Sequence, residues 1–255
     1  MRNIWIICRK ELHSYFVSPI AYILFVMFAA IFGYFFWAEL GMLNYYSNAA
    51  MMRGEVFPMN VNEQLIRGFL ANMNVVNLFY VPLITMRLFA EEKRNGTIEL
   101  LATSPISDLA VIIGKWLASV LLYAGILFVT ALNFAFLFKY GNPDWKPMAV
   151  GYLGVWLFAA AMLALGMFIS TLTKNQIIAG AVTFGLCLLL FVLGWAGSFE
   201  SATWAQVLNY MGVNTHMESF SKGVLDTKDA LYYLSVIFLG LFLTARSLES
   251  LRWRS

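Results

Sequence analysis

FAEEKRNGTIELLATSPISD, residues 89–108, stands between two long apolar runs, and its reading decides how the chain around it is organised. Glu91, Glu92, Lys93, Arg94 and Glu99 crowd charge into a sequence otherwise poor in it. Gly96, after Asn95, is a strong helix stop, so the preceding run ends there. Thr97 then has the side chain of an N-cap for a short helix over 98–103. Glu99 sits in its first turn, where a carboxylate meets the positive end of the helix dipole. Ser104-Pro105 closes that helix, because the residue before a proline resists the α conformation. Ser107 and Asp108 are placed to cap the next apolar run. The pattern predicts helix, break, short helix, turn and helix, with Ile98, Leu100 and Leu101 forming an apolar edge. It fits a docking surface as well as it fits a capped connecting loop whose charges are solvated.

Outward from that stretch the chain is built for lipid. Of its 255 residues, 61% are hydrophobic and 12% charged, with a mean hydropathy of +0.73. Soluble domains carry about 45–50% apolar and about 25% charged residues. Six segments have the length, about 20 apolar residues, that crosses roughly 30 Å of hydrocarbon. They lie near 20–38, 69–89, 109–138, 150–172, 177–195 and 230–244. The expected class is an all-α integral membrane protein with six transmembrane helices in a single domain, 1–255. The start, MRNIWIICRKELHSYF, is too charged for a secretory leader, so the first run is expected to remain as a span.

Six spans place both termini on one side of the membrane, and Lys and Arg indicate which. The terminus side holds Arg2, Arg9, Lys10, Arg87, Lys93, Arg94, Lys115, Lys174, Arg246, Arg252 and Arg254. The opposite side holds only Arg53, Arg67, Lys139, Lys146, Lys222 and Lys228. The bias predicts cytoplasmic termini in the cell inner membrane, and it puts the 89–108 region on the cytoplasmic side. Three external segments follow, near 39–68, 139–149 and 196–229. In the third, Trp204, Val207, Leu208 and Met211 recur at helical spacing before Gly212, which predicts one or two short interfacial helices there.

Residues 1–18 read as a basic amphipathic helix. Ile4, Ile7, Cys8, Leu12, Tyr15 and Phe16 share one face, and Arg2, Arg9, Lys10 and His13 lie mostly elsewhere, with Glu11 between them. Such a helix is expected to rest in the interface, its apolar face in acyl chains and its cations near lipid headgroups. It would anchor the first span, or act as a lever that also touches a cytoplasmic partner.

Several chemistries find no support in the sequence. Cys8 and Cys187 read as packing residues, and no Cys/His spacing suits a metal. Gly114-Lys115 is followed by Trp116 and lacks the upstream glycine of a phosphate-binding loop, so any ATP, with its Mg, belongs to another chain. No nucleophile–base constellation is present, and nothing points to nucleic acid. His216 and Glu218 read as a solvated loop pair rather than as a pH-sensitive contact. Ionisable residues inside spans are scarce, which argues against an ion-coupled carrier. Asn77, Thr130 and Asn133 fit helix–helix hydrogen bonding. Gly33, Gly166, Ala181 and Gly185 fit close helix approach, the last two as a possible dimer seam.

The stretch RLFAEEKRNGTIELLATSPISDLAVIIGKWLA, residues 87–118, resembles the signature region of ABC-2 type transporter permeases. It is most similar to the branch that holds the gliding-motility and nitrous-oxide-reductase-accessory permeases. CRKELHSYFVSP (8–19) and YYLSVIFLGLFLTARSLESLRW (232–253) resemble the same family, so the likeness spans essentially the whole chain. The specific part is Glu92, Gly96, Thr97 and Glu99 followed by Ser104-Pro105. The resemblance implies that the helix after Gly96 is a coupling helix seated in a separate cytoplasmic ATPase. Glu92 and Glu99 would be its contacts, and residues 1–18, including Arg9, Lys10 and Glu11, a connecting helix beside that ATPase. It also implies external re-entrant helices within 196–229. A second permease copy or a related membrane subunit would complete the transporter. The long 39–68 segment departs from a generic member, and in the gliding branch the second membrane component can be a different, larger protein.

Overall fold

The computed structural model describes residues 2–54, 65–98, 106–140, 143–198 and 203–252. The chain opens with α1 (Arg2–Val17), which breaks at Ser18 where Pro19 starts α2 (Pro19–Met52). Then come α3 (Arg67–Thr85) and the one-and-a-half-turn α4 (Ala90–Asn95). They are followed by α5 (Asp108–Tyr140), α6 (Trp145–Ser170) and α7 (Gln176–Ser198). Two short helices, α8 (Thr203–Met211) and α9 (Met217–Ser221), precede the last, α10 (Thr227–Arg252). Among the described residues, six helical segments are long and apolar enough to cross a membrane, one over each of the six predicted runs.

Helix α6 is the axis of the bundle. Of its most apolar window, 78% is buried, against 28% for α2, 28% for α7 and 22% for α10. Helices α3, α5, α7 and α10 pack around it, and α2 closes over α5 and α3. The outer three therefore leave broad apolar faces to lipid or to another subunit. A seam of aromatic rings joins α2, α3 and α5. Phe28 meets Tyr80 at 4.2 Å edge-on, Phe36 meets Phe134 at 5.6 Å, and Phe69 meets Phe134 at 5.2 Å. Such edge-to-face pairs are favoured beyond their area burial. The polar residues inside the spans tie helices together: Tyr123 donates to Asn77 Oδ1 at 2.7 Å, and Thr130 lies 3.3 Å from the Tyr152 hydroxyl. Gly166 sits where α6 meets Thr85 of α3 and Thr183 of α7, whereas nothing approaches Gly33 or Gly185.

Three expectations change. Helix α2 does not stop near 38 but runs to Met52, so the first half of the expected loop is helix. Residues 40–52 carry no charge and no proline, and the helix ends only at Arg53-Gly54, where Gly54 takes φ +72°. Helix α10 likewise runs to Arg252, past the expected end near 244, as its last turns exchange apolar residues for the Arg246–Glu249 pair at 2.8 Å. The apolar face of α1 is turned onto α5 and α2 rather than into acyl chains: Ile7, Cys8 and Tyr15 are buried, and Ile4 and Leu12 pack on the core. Trp5, Ile6, Phe16 and Val17 are the exposed apolar residues of that helix.

Candidate functional site

The end of the bundle that holds α1 also gathers α4, the start of α5, and the ends of α6 and α10. Its formation starts in α3. Pro82 lies inside that helix and Met86 closes back on the Pro82 carbonyl at 2.9 Å, after which residues 86–89 form turns. Helix α4 restarts at Ala90, and its first residues carry no side-chain cap of their own. Ser170, the last residue of α6, supplies it: its Oγ accepts from the backbone amides of Phe89 and Ala90, both at 3.0 Å. Glu91 and Glu92 occupy the first turn of α4 and Lys93 and Arg94 its last, the arrangement the helix dipole favours. Gly96 ends the helix at φ 72°, a backbone conformation that costs a residue with a Cβ about 1–2 kcal/mol.

Side chains then fix α4 on three sides. Arg87 holds Glu91 through Nε at 2.9 Å and through its terminal nitrogen at 3.3 Å. Lys93 donates through Nζ to the carbonyl of Thr171, whose hydroxyl lies 2.7 Å from that of Ser247 of α10. The third tie is a buried ion triad. Lys115 Nζ of α5 lies 3.0 Å from Glu11 of α1 and 2.9 Å from Glu92 of α4. Its side chain is 3% exposed, and the two glutamates are 16% and 17% exposed. The second oxygen of Glu92 is buried with no partner among the described residues. A charge so buried persists only because opposite charges face it. Lys115 also lies 5.3 Å from the Phe89 ring centroid.

The triad needs α1 and α5 in close contact, and Gly114 permits it. A Cβ at that position would fall 2.9 Å from Ile7 Cβ and 3.0 Å from the Ile4 carbonyl. In the same interface burial pushes the Cys8 thiol up, Glu11 adding to it, and burial pushes the Tyr15 phenol up. Both therefore stay neutral packing groups, consistent with free, buried Cys8 and Cys187. A cleft of ≈ 490 Å³ remains open between α1 and α4, lined by Lys10, Glu11, Glu91, Glu92, Thr97 and Lys115 among others.

The residues expected at a partner surface are distributed unevenly. Glu92 and Glu11 turn inward to Lys115, whereas Arg9 and Lys10 are exposed. Thr97 is exposed and helical, and its hydroxyl donates to the Glu92 carbonyl at 3.4 Å; the amides it was expected to cap lie outside the described residues. Ile98 packs against the core. Glu99, Leu100, Leu101, Ser104 and Pro105 lie outside the described residues. Ser107 caps α5 through its carbonyl, which accepts from Ala110 at 2.9 Å. Ala181 and Gly185 lie on the exposed face of α7 with Ile177, Ile178 and Val182. Lys115, Ser170, Thr171 and Ser247 were not singled out from sequence, since their partners lie far away along the chain. Only the isolated cation of Lys115, seven residues into an apolar run, was a visible signal.

At the other end, α8 folds back along α7, and Val213 donates to the Leu190 carbonyl at 3.2 Å. Trp204, Val207 and Met211 of α8 face outward. His216 is not a solvated partner of Glu218. It is buried, and Asp229 lies 2.7 Å from its Nδ1. Glu218 instead pairs with Lys222 at 2.7 Å and Arg67 at 3.6 Å. The hydrogen bond and charge of Lys222 hold its carboxyl below the usual range. Among the described residues no group of three His, Cys, Asp or Glu side chains is placed to hold a metal ion.

A search of curated proteins gave no match. A family model does match: that of the ABC-2 family transporter protein, over residues 5–237, nearly the whole chain. With six membrane-length helices and a match of that extent, this chain belongs to the ABC-2 transporter family, as a membrane component of such a transporter.

Proposed function

We propose that this chain is the permease subunit of an ATP-driven exporter of the inner membrane, with cytoplasmic termini, and that a separate ATPase docks on residues 96–104. Glu99 with Leu100 and Leu101 would make the contact, and Arg9 and Lys10 would flank it. The observation that carries the reading is the buried triad Glu11–Lys115–Glu92, which joins the helix preceding that segment to α1 and α5. A push on the segment is then delivered to α1, α4 and α5 as one body, and through Ser170 and Thr171 to the ends of α6 and α10. ATP-driven closure of two ATPases would thereby part or close α3 and α7 of two permease halves. The second half is another copy or a related membrane subunit, meeting this one across Ala181 and Gly185. The likeness of residues 87–118 to the gliding-motility and nitrous-oxide-reductase-accessory branch supports the same reading.

Charge reversal at Glu99 tests it. Glu99→Arg is expected to release the ATPase while the chain stays folded in the membrane, and retention of a fully active complex would remove Glu99 from the contact. A second reading has its own observation. Helix α2, at 34 residues and 1.5 Å each, is about 51 Å long and outruns the hydrocarbon. Its far end exposes Tyr45, Met51 and Met52. That end suits an extracytoplasmic partner, moved by the same docking without passage of a substrate. Loss of ATP-dependent partner movement on Tyr45→Asp would favour it, and substrate flux through the wild-type assembly would remove it.

A further inference from the structure

His216 is buried at 3% exposure between α8, α9 and the start of α10, and both of its ring nitrogens are engaged. Nε2 lies 2.9 Å from the Tyr210 carbonyl, which only accepts, so Nε2 carries a proton. Nδ1 lies 2.7 Å from Asp229 Oδ1, a contact that also needs a proton between its two atoms. The pair thus holds one proton more than a neutral imidazole beside a free carboxylate. The Tyr232 ring stacks face to face on the imidazole at 3.8 Å and 19°, a placement that suits a cation, and the Tyr210 ring stands perpendicular to the imidazole at 5.1 Å.

We propose that His216 and Asp229 form a proton-dependent latch, an imidazolium–carboxylate pair that ties the α8–α9 hairpin to the start of α10. The geometry of the surroundings leaves Asp229 as the carboxylate for this role. Glu218 is held by Lys222 and Arg67, and Asp226 accepts from the backbone amide of Lys228 at 2.9 Å. Lys228 lies over the Tyr210 ring at 5.4 Å. Two neutral bonds reinforce the junction: Tyr232 donates to the Met211 carbonyl at 2.7 Å and Tyr233 to the Val213 carbonyl at 3.0 Å.

The latch matters because of what it joins. Helix α8 packs along α7, and α10 packs along α6, so the latch holds the ends of the fifth and sixth spans together on the side opposite the termini. When the proton leaves, one ring nitrogen faces an acceptor with nothing to donate, and a buried polar contact becomes unfavourable. Acid on that side closes the junction, and loss of the shared proton loosens it. This inference does not depend on which partner drives the transporter.

The chain has two histidines, His13 and His216, which makes the test direct. Full-length protein labelled with ¹⁵N-histidine in lipid nanodiscs gives two imidazole spectra, assigned with His13→Gln. At neutral pH both nitrogens of His216 are expected to be protonated. Amide exchange over 205–233, corrected for its intrinsic pH dependence, is expected to lose protection as pH rises. Asp229→Asn removes the carboxylate and is expected to lose that protection at neutral pH. An unprotonated nitrogen on His216 at neutral pH overturns the proposal, as does protection that ignores both pH and Asp229→Asn.

Discussion

Replacing Lys115 with methionine keeps the length and apolar stem of the side chain but removes the cation between Glu11 and Glu92. Both carboxylates are more than four-fifths covered and lie within 3.0 Å of that cation, so neither can turn fully to water without moving its helix. Removing one member of a buried charge cluster costs about 3–5 kcal/mol, because the charges left behind are uncompensated. The easiest relief is departure of α1. That movement exposes Cys8, which is now 0% exposed and free. If alkylation of Cys8 proceeds through that opening, a cost of about 3–5 kcal/mol raises its rate roughly a hundredfold to several thousandfold. The measurement is maleimide labelling of the full chain in nanodiscs, with Cys187, buried in α7, as the internal reference. The pH dependence has a definite sign. Two carboxylates left together raise each other's affinity for a proton, so the variant's penalty shrinks as pH falls and grows as pH rises. Converting the whole triad, Glu11→Leu with Lys115→Met and Glu92→Leu, is expected to slow Cys8 labelling again, since apolar replacement of a buried ion cluster is often neutral or stabilising. A rise in Cys8 labelling below tenfold for Lys115→Met, with no recovery in acid, would refute the reasoning.

Two further changes test the same block. Gly114→Ala places a Cβ 2.9 Å from Ile7 and 3.0 Å from backbone, an overpacking cost of about 1–3 kcal/mol. It is expected to speed Cys8 labelling, whereas Gly33→Ala, with nothing within 4 Å, is expected to leave it unchanged. Ser170→Ala removes the shared cap of Phe89 and Ala90 and is expected to cost about 0.5–2 kcal/mol. Its readout is faster amide exchange over 89–95, and unchanged exchange there would show that the cap is dispensable.

The span count was legible because hydropathy and the requirement that backbone groups be satisfied within each segment leave little choice in lipid. The break at Gly96 was legible for a similar reason, since a positive φ favours glycine. What stayed hidden depends on tertiary contact. The pattern of α1 correctly separates its apolar face from its basic one. Amphipathicity cannot say whether an apolar face meets acyl chains or another helix, and here Ile7 and Cys8 meet α5. The expected end of the first span near 38 falls just before Glu39, a charge that composition alone would place outside the hydrocarbon. Asn72 of α3 instead donates to its carboxylate at 3.1 Å, and the helix passes through. Lys115 was counted as a charge that orients the chain, while its partners, Glu11 and Glu92, come from two other helices. His216 was matched with Glu218 by nearness in sequence, whereas its carboxylate lies thirteen residues on, where α10 begins.

The proposed seat of the ATPase on residues 96–104 is tested most directly by the ratio of ATPase to permease in the assembly purified in nanodiscs with its natural partners. The wild-type chain is expected to retain an ATP-binding subunit in fixed stoichiometry and to hydrolyse ATP. Glu99→Arg is expected to lose it, while Lys228→Ala, at the opposite end of the bundle, is expected to keep it. A folded wild-type chain that carries no ATPase, or a Glu99→Arg complex with undiminished subunit ratio and turnover, would contradict the account.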